Sequence, residues 1–384
     1  MTLRVSWPQA LAWRMSRQLL DPVGSLPVDG VVRRLAAVQA QVASSAELAI
    51  RVRRRTSRRG EVARALADGR LVKTWAMRGT LHLLTPDEGG AFLSLMAAGR
   101  SWERPSWVKY FGMTPAQMER LRGVVREAID ERPLTREELI AAVGRKCGFK
   151  GIAEGLRSGW GTLLKPIAWQ GDLVFGPSVG TRVTFTTPQA ASAHWTGLPE
   201  PDEAAPIAIR AYLGAYGPAG VEAFSDWVSG GWFSRKRMRT WFSDFGDAIV
   251  EVEVDGERAW ILAEHADELA ATKPTTAVRL LPGFDQCILG PGTKDGHVTP
   301  SARRSDVSRT AGWISPVVIC GGVVCGTWEL DGAKVLVAWF KEAGQVPRKA
   351  LEAETGRLSD LLGADLAPAV AVNSRAVRSV QPVG

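Results

Sequence analysis

The chain has 384 residues, 45% of them hydrophobic and 23% charged, the composition of a folded globular protein with room for about two to four domains. With 48 basic against 40 acidic residues the net charge is +8, which points to an anionic partner. No stretch reaches the ~18 uncharged apolar residues that a membrane-spanning helix requires, so no such helix is expected.

The opening stretch MTLRVSWPQALAWRMSRQLL has no uninterrupted apolar core and no small-residue cleavage site. It reads as an amphipathic helix, with no export expected and a cytoplasmic location. Over the first hundred residues helices are expected near Ser6–Leu20, Val31–Ala37, Ser44–Arg55 and Glu61–Asp68, followed by paired strands in LVKTWAMR and GTLHLLT. Six arginines fall between Arg51 and Arg59. They read either as a solvated helix face or as phosphate contacts.

The segment from Thr114 to Thr187 is the most regular. Thr114-Pro115 starts a helix in cap-then-proline order, and Pro133 ends it. Thr135 and Glu138 form a capping box for a second helix to about Lys146. A third helix is expected from Ala153 to Trp169, then a hairpin in DLVFGP-SVG-TRVTFT. Three helices followed by a hairpin is the winged-helix plan. It recurs after Glu200: helices over Asp202–Ala215 and Ala219–Val228, a basic third helix after Ser234, and a hairpin turning at Asp255-Gly256. Beyond Lys273 the chain becomes strand-rich and is closed by a helix near Arg348–Leu362. The expected fold class is α+β, with winged-helix units over residues 1–113, 114–199 and 200–272 and a β-rich, barrel-like domain over 273–384.

The four cysteines are Cys147, Cys287, Cys320 and Cys325. None has metal-ligand spacing, so no metal is expected. A two-residue turn at Gly321-Gly322 sets Cys320 against Val323 and Cys325 against Val318, which leaves the two cysteines unpaired and predicts reduced thiols.

Common catalytic sets are missing: there is no HExxH, GxSxG or P-loop. Only four histidines exist, at 82, 194, 265 and 297. One small constellation remains, Gln39-Ala40-Gln41, between the second expected helix and a capping box of Ser44 and Glu47. At a helix end the two amides point to different sides; in an extended connection they point to the same side and can converge on one substrate.

The stretches LAAVQAQVASSAELAIRVR and LVKTWAMRGTLHLLTPDE, with LLPGFDQCILG and CGGVVCGTWEL further on, resemble the AlkZ-like DNA glycosylases from about Val31 to Leu330. The resemblance implies three winged helices and a β-barrel, with a catalytic motif of glutamine, an apolar residue, then glutamine or aspartate. Gln39 and Gln41 match the glutamine form. It further implies hydrolysis of the N-glycosidic bond of N7-alkylguanine in double-stranded DNA, in repair or in self-resistance to a DNA-alkylating antibiotic. On this reading the protein is a cofactor-free monomer. Candidate DNA contacts are Arg78 and His82 in the RGTLH block, Arg157 and Lys165 on the expected recognition helix, and Arg235 and Lys236 on the basic helix. Lys294 and His297 on an expected hairpin tip and Arg303 and Arg304 beyond it complete the set. The rival readings are a DNA-binding regulator or damage-shielding protein without catalysis, and a protein that binds an intercalating antibiotic directly.

Overall fold

In the computed structural model the described residues are 2–147, 152–159 and 161–373. They form a mixed helix-and-sheet architecture in two compact units, one from Met1–Gly60, Ala211–Phe224 and Phe245–Gly384, the other from Glu61–Arg210 and Ser225–Asp244.

In the first unit, Ser6 caps the Trp7–Arg17 helix through Gln9 N–H. A strand precedes it: Leu3–Val5 runs parallel to Ile249–Val254, which turns at Asp255-Gly256 into Glu257–Leu262. The turn sits at positive φ, 45° and 87°, the geometry that an Asp-Gly pair accommodates. Its inward faces pack Val252, Val254 and Ile261 on Ala10 and Trp13.

The C-terminal part of this unit is a five-stranded sheet in the order Val278–Leu281, Val317–Cys320, Val323–Asp331, Lys334–Phe340, Ala367–Asn373. The first four strands are antiparallel, and the last joins parallel to Lys334–Phe340. The barrel expected here is therefore an open sheet among the described residues. A parallel strand needs a crossover, and the Arg348–Leu362 helix supplies it, packing Leu351 and Leu358 on Val278, Leu280 and Val335. The helix thus covers a sheet face.

The cysteine register departs from the reading above. Cys320 does oppose Val323, but a bulge follows, so Val318 opposes Gly326 and Cys325 is the extra residue. Both cysteines land on the face that packs under the helix, with their side chains hydrogen-bonded to each other.

The second unit contains a sheet ordered Leu81–Leu84, Val72–Trp75, Val174–Val179, Arg182–Thr186, Leu134–Thr135. Thr114 and Gln117 form the capping box of the Pro115–Asp130 helix, and Thr135 with Glu138 forms that of Arg136–Cys147. The single helix expected over Ala153–Trp169 is instead two, Ile152–Arg157 and Lys165–Trp169. Gly161 between them adopts φ +67°, and a side chain there would run into the Trp75 indole at 2.1 Å; Trp160 within the expected helix lies outside the described residues. Trp75, Phe175 and Phe185 cluster at ring distances of 4.8 to 6.1 Å, so Trp75 is a core residue. Among the described residues no helix is long and apolar enough to cross a membrane.

Candidate active site

The helix before the glutamine motif spans Val28–Arg34, beginning and ending three residues earlier than expected. Leu35 closes it and Ala36 takes φ +60°, the left-handed conformation that reverses a chain leaving a helix. Val38 and Gln39 are then extended, which selects the extended alternative for this part of the motif. Gln39 is 6% exposed and Ala40 3%, whereas Gln41 is exposed at a bend. Neither glutamine side chain is hydrogen-bonded to another described residue, so the fold does not consume either amide.

Tyr216 supports this segment from below. Its fully buried hydroxyl donates to the Leu35 carbonyl at 2.6 Å and lies 3.4 Å from Gln286 Oε1. Tyr216→Phe strands a buried carbonyl four residues ahead of Gln39 and is expected to cost about 1–2 kcal/mol. A denaturant titration checks this; an unchanged midpoint would remove Tyr216 from the account.

The next helix is Ala43–Arg51, starting one residue and ending four residues earlier than expected, and its N-cap position, Val42, offers no side-chain cap. The expected Ser44–Glu47 capping box does not form. Glu47 instead accepts a hydrogen bond from Gly60 N–H at 2.7 Å, closing the loop that carries the arginine run. Val42, which follows Gln41 directly, lines a cavity of about 920 Å³. Its walls come from the start of this helix, from Pro282-Gly283, from Trp313 and Pro316, and from Trp328–Asp331. Gly283 has no room for a side chain, because a Cβ there would sit 2.7 Å from the Ile314 carbonyl. Two wall segments touch at that point.

Beneath the cavity lies the FD block. Arg53 and Asp285 are both fully buried and joined by two 2.7 Å hydrogen bonds. Asp285 also accepts from Cys287 N–H at 2.8 Å, and Arg53 donates to the Ala49 carbonyl. Arg53 thereby fastens the Ala43–Arg51 helix to the Pro282–Gln286 loop. The sequence reading singled out the block but not this role, because the pair is 232 residues apart.

The expected DNA contacts divide by surroundings. In the second unit Arg78 is half-buried at φ +55°, and the neighbouring Gly79 would place a Cβ 3.6 Å from Lys165 Nζ. Arg78, His82 and Lys165 therefore gather around one strand–strand turn. Burial lowers the Lys165 pKa. Arg157, Arg235 and Lys236 are exposed on their helices. Arg237, the next basic residue, is paired with Asp202 and stacked on Trp241. In the first unit Lys294 and Arg304 are exposed, but the segment around Lys294 is a series of turns, not a hairpin tip. His297 stacks on Trp7 at 3.7 Å and meets Glu257 at 3.1 Å.

Two of the candidates are buried. Arg303 is 8% exposed and held by Glu342 and Asp306, so its charge is already matched. His82 is fully buried, with Nδ1 against the Thr80 carbonyl at 3.0 Å. Burial, and next the Arg78 charge, hold its pKa down to about 3. It is a neutral core histidine with no charge to offer a phosphate.

That depression has a pH consequence. The unfolded chain binds a proton on this ring near pH 6.5, while the folded chain does so only near pH 3. The stability it permits is complete above pH ~6.5 and is lost as pH falls towards 3. By pH 5 the loss from this group is about 2 kcal/mol. Denaturant titrations at pH 7 and pH 5 on the parent and His82→Gln check this. A decline as steep in the variant as in the parent contradicts it.

Residues 32–361 match the family model described as DNA glycosylase AlkZ-like. A curated protein named "Interstrand DNA cross-link repair glycosylase", from Streptomyces sahachiroi, is 49% identical over 367 residues, covering 95% of this chain and 99% of that protein. The solved structure of Streptomyces sahachiroi DNA glycosylase AlkZ superposes with a TM-score of 0.93 at 48% identity, over 96% of this chain and 100% of that one.

Proposed function

The chain belongs to the AlkZ-like DNA glycosylase family and is a DNA glycosylase, and from that premise we propose that it hydrolyses the N-glycosidic bond of N7-alkylated guanine in double-stranded DNA. The substrates include bulky natural-product adducts and interstrand crosslinks, the lesion named for its Streptomyces sahachiroi relative. The observation that carries the reading is the pair of uncommitted amides at Gln39 and Gln41, on a tightly supported turn beside a large cavity.

An N7-alkylated guanine is already cationic. When the C1′–N9 bond breaks, its electron pair neutralises the ring and the base leaves without being protonated. The sugar takes on oxocarbenium character, and a water oxygen bonds to C1′ while its proton passes to solvent. The protein must hold that water and favour the charged sugar. Gln41 orients the water through its carbonyl oxygen, and Gln39 holds the water and the sugar. No lysine lines the cavity among the described residues, which supports a monofunctional enzyme that leaves an abasic site rather than a strand break.

The helix–hairpin segments 1–113, 114–199 and 200–272 act as winged helices on the duplex, with Arg78, Arg157, Lys165, Arg235, Lys236, Lys294 and Arg304 facing phosphates. The protein works as a cytoplasmic monomer in DNA repair or antibiotic self-resistance. Mass spectrometry of the bases released from duplexes with and without N7-methylguanine tests the reading. Release of the methylated base alone, with weak sequence preference, is expected. Tight binding to one palindromic sequence with no base release would overturn it in favour of a regulator.

A further inference from the structure

The cavity after Gln41 is far larger than the chemistry at the glycosidic bond needs. A water occupies about 30 Å³, and a methyl group is of similar size. At about 920 Å³ the cavity falls in the range of sites that enclose drug-sized molecules, roughly 300–1,000 Å³. Its opening wall begins at Val42, whose Cα is ~3.8 Å along the chain from that of Gln41.

The lining shows what would fill it. Leu48, Pro282, Pro316, Leu336 and Leu362 give apolar surface, and two indoles face it. Trp328 is fixed, its N–H donated to the Leu281 carbonyl at 2.8 Å. Trp313 stands edge-on to Phe284, with ring centroids 5.1 Å apart, and its indole N–H is buried without an acceptor. Phe284 itself takes φ +61°, a conformation that non-glycine residues seldom adopt.

The charged groups are unevenly engaged. Arg51 and Arg59 donate to the Leu361 and Leu362 carbonyls at the end of the Arg348–Leu362 helix, and Glu47 is taken by Gly60. Glu329 and Asp331 line the cavity and enter no ion pair among the described residues. What the cavity offers is aromatic surface and two carboxylate acceptors.

We propose that this cavity binds the non-guanine portion of a bulky N7-guanine adduct, a planar aromatic group that packs against Trp313 and carries a donor for Glu329. The proposal rests on the N7-alkylguanine reading above and makes Trp313, Glu329 and the cavity volume determinants of lesion choice. A methyl lesion leaves the cavity empty, and a flexible aliphatic adduct uses it poorly.

The test compares single-turnover release of three lesions from the same duplex: N7-methylguanine, the N7-guanine adduct of a nitrogen mustard, and the fused-ring N7-guanine adduct of aflatoxin B1. The parent is run beside Trp313→Ala, Glu329→Gln and Leu336→Trp, the last filling the cavity from its lining. The aflatoxin-to-methyl rate ratio is expected to fall about tenfold or more in Trp313→Ala and Leu336→Trp, and less in Glu329→Gln, with the mustard-to-methyl ratio changing least. A ratio unchanged in all three folded variants overturns the cavity assignment while leaving the glycosylase reading intact. Release of no lesion by the parent overturns both.

Discussion

Asp285→Ala is expected to destabilise the protein by about 3–5 kcal/mol, the largest stability loss of any single substitution considered. Asp285 and Arg53 are both 0% exposed, and each Arg53 Nη atom donates to one carboxylate oxygen at 2.7 Å. Removing the carboxylate leaves a guanidinium with no solvent and no countercharge, and it also releases the Cys287 N–H that the carboxylate accepts. The cost comes from the abandoned charge rather than from the net worth of the pair, so removing both charges should restore much of it. Arg53→Met/Asp285→Leu is expected to be more stable than Asp285→Ala, because a buried pair replaced by apolar groups of similar volume is often neutral. Urea titration of the parent, the single and the double variant decides this. A single-variant loss below about 1 kcal/mol would mean that water reaches the pair.

Loss of either glutamine should act on rate instead. Gln39→Ala and Gln41→Ala are each expected to lower single-turnover base release about 10²-fold, the usual effect of removing one positioned dipole from a reacting centre. Duplex binding should stay within about twofold, since affinity for DNA comes mainly from contacts to phosphates. Neither side chain supports the fold by a hydrogen bond among the described residues, so thermal stability should hold. Parallel falls in binding and rate would assign the motif to docking rather than catalysis.

Much of this architecture was legible because the signals were local. Thr114-Pro115 starts its helix and the Thr135–Glu138 box formed as read, the Asp255-Gly256 hairpin turned where its dipeptide indicated, and the closing helix spans Arg348–Leu362. Local signals also misled. Ser44 and Glu47 have capping-box spacing, but Glu47 is drawn to the Gly60 N–H. The Ala153–Trp169 pattern was broken by Gly161, whose backbone bends away to clear Trp75.

What escaped notice was long-range. Leu3–Val5 and Ala367–Asn373 are strands only because parallel partners lie beside them, and a parallel pair leaves no turn in the sequence between its members. The bulge at Cys325 leaves that residue without the Val318 partner that a regular register gives it. The site divides in the same way. The glutamine motif was visible as three adjacent residues, and its extended start follows from Ala36 reversing the chain. Tyr216, the Arg53–Asp285 pair and the cavity walls come from segments more than 150 residues apart along the chain. No spacing rule connects them.

In the proposed mechanism an uncharged pair of amides suffices because the lesion brings its own positive charge. The most direct measurement is the single-turnover rate of N7-methylguanine release from duplex DNA between pH 6 and pH 9, for the parent and for folded, DNA-binding Gln39→Ala/Gln41→Ala. The account predicts a nearly flat profile for the parent, since neither amide titrates and the leaving base needs no proton, and release by the double variant close to the spontaneous rate. Release by the double variant at the parental rate would contradict it, as would a parental profile that rises or falls tenfold per pH unit with a titrating side chain.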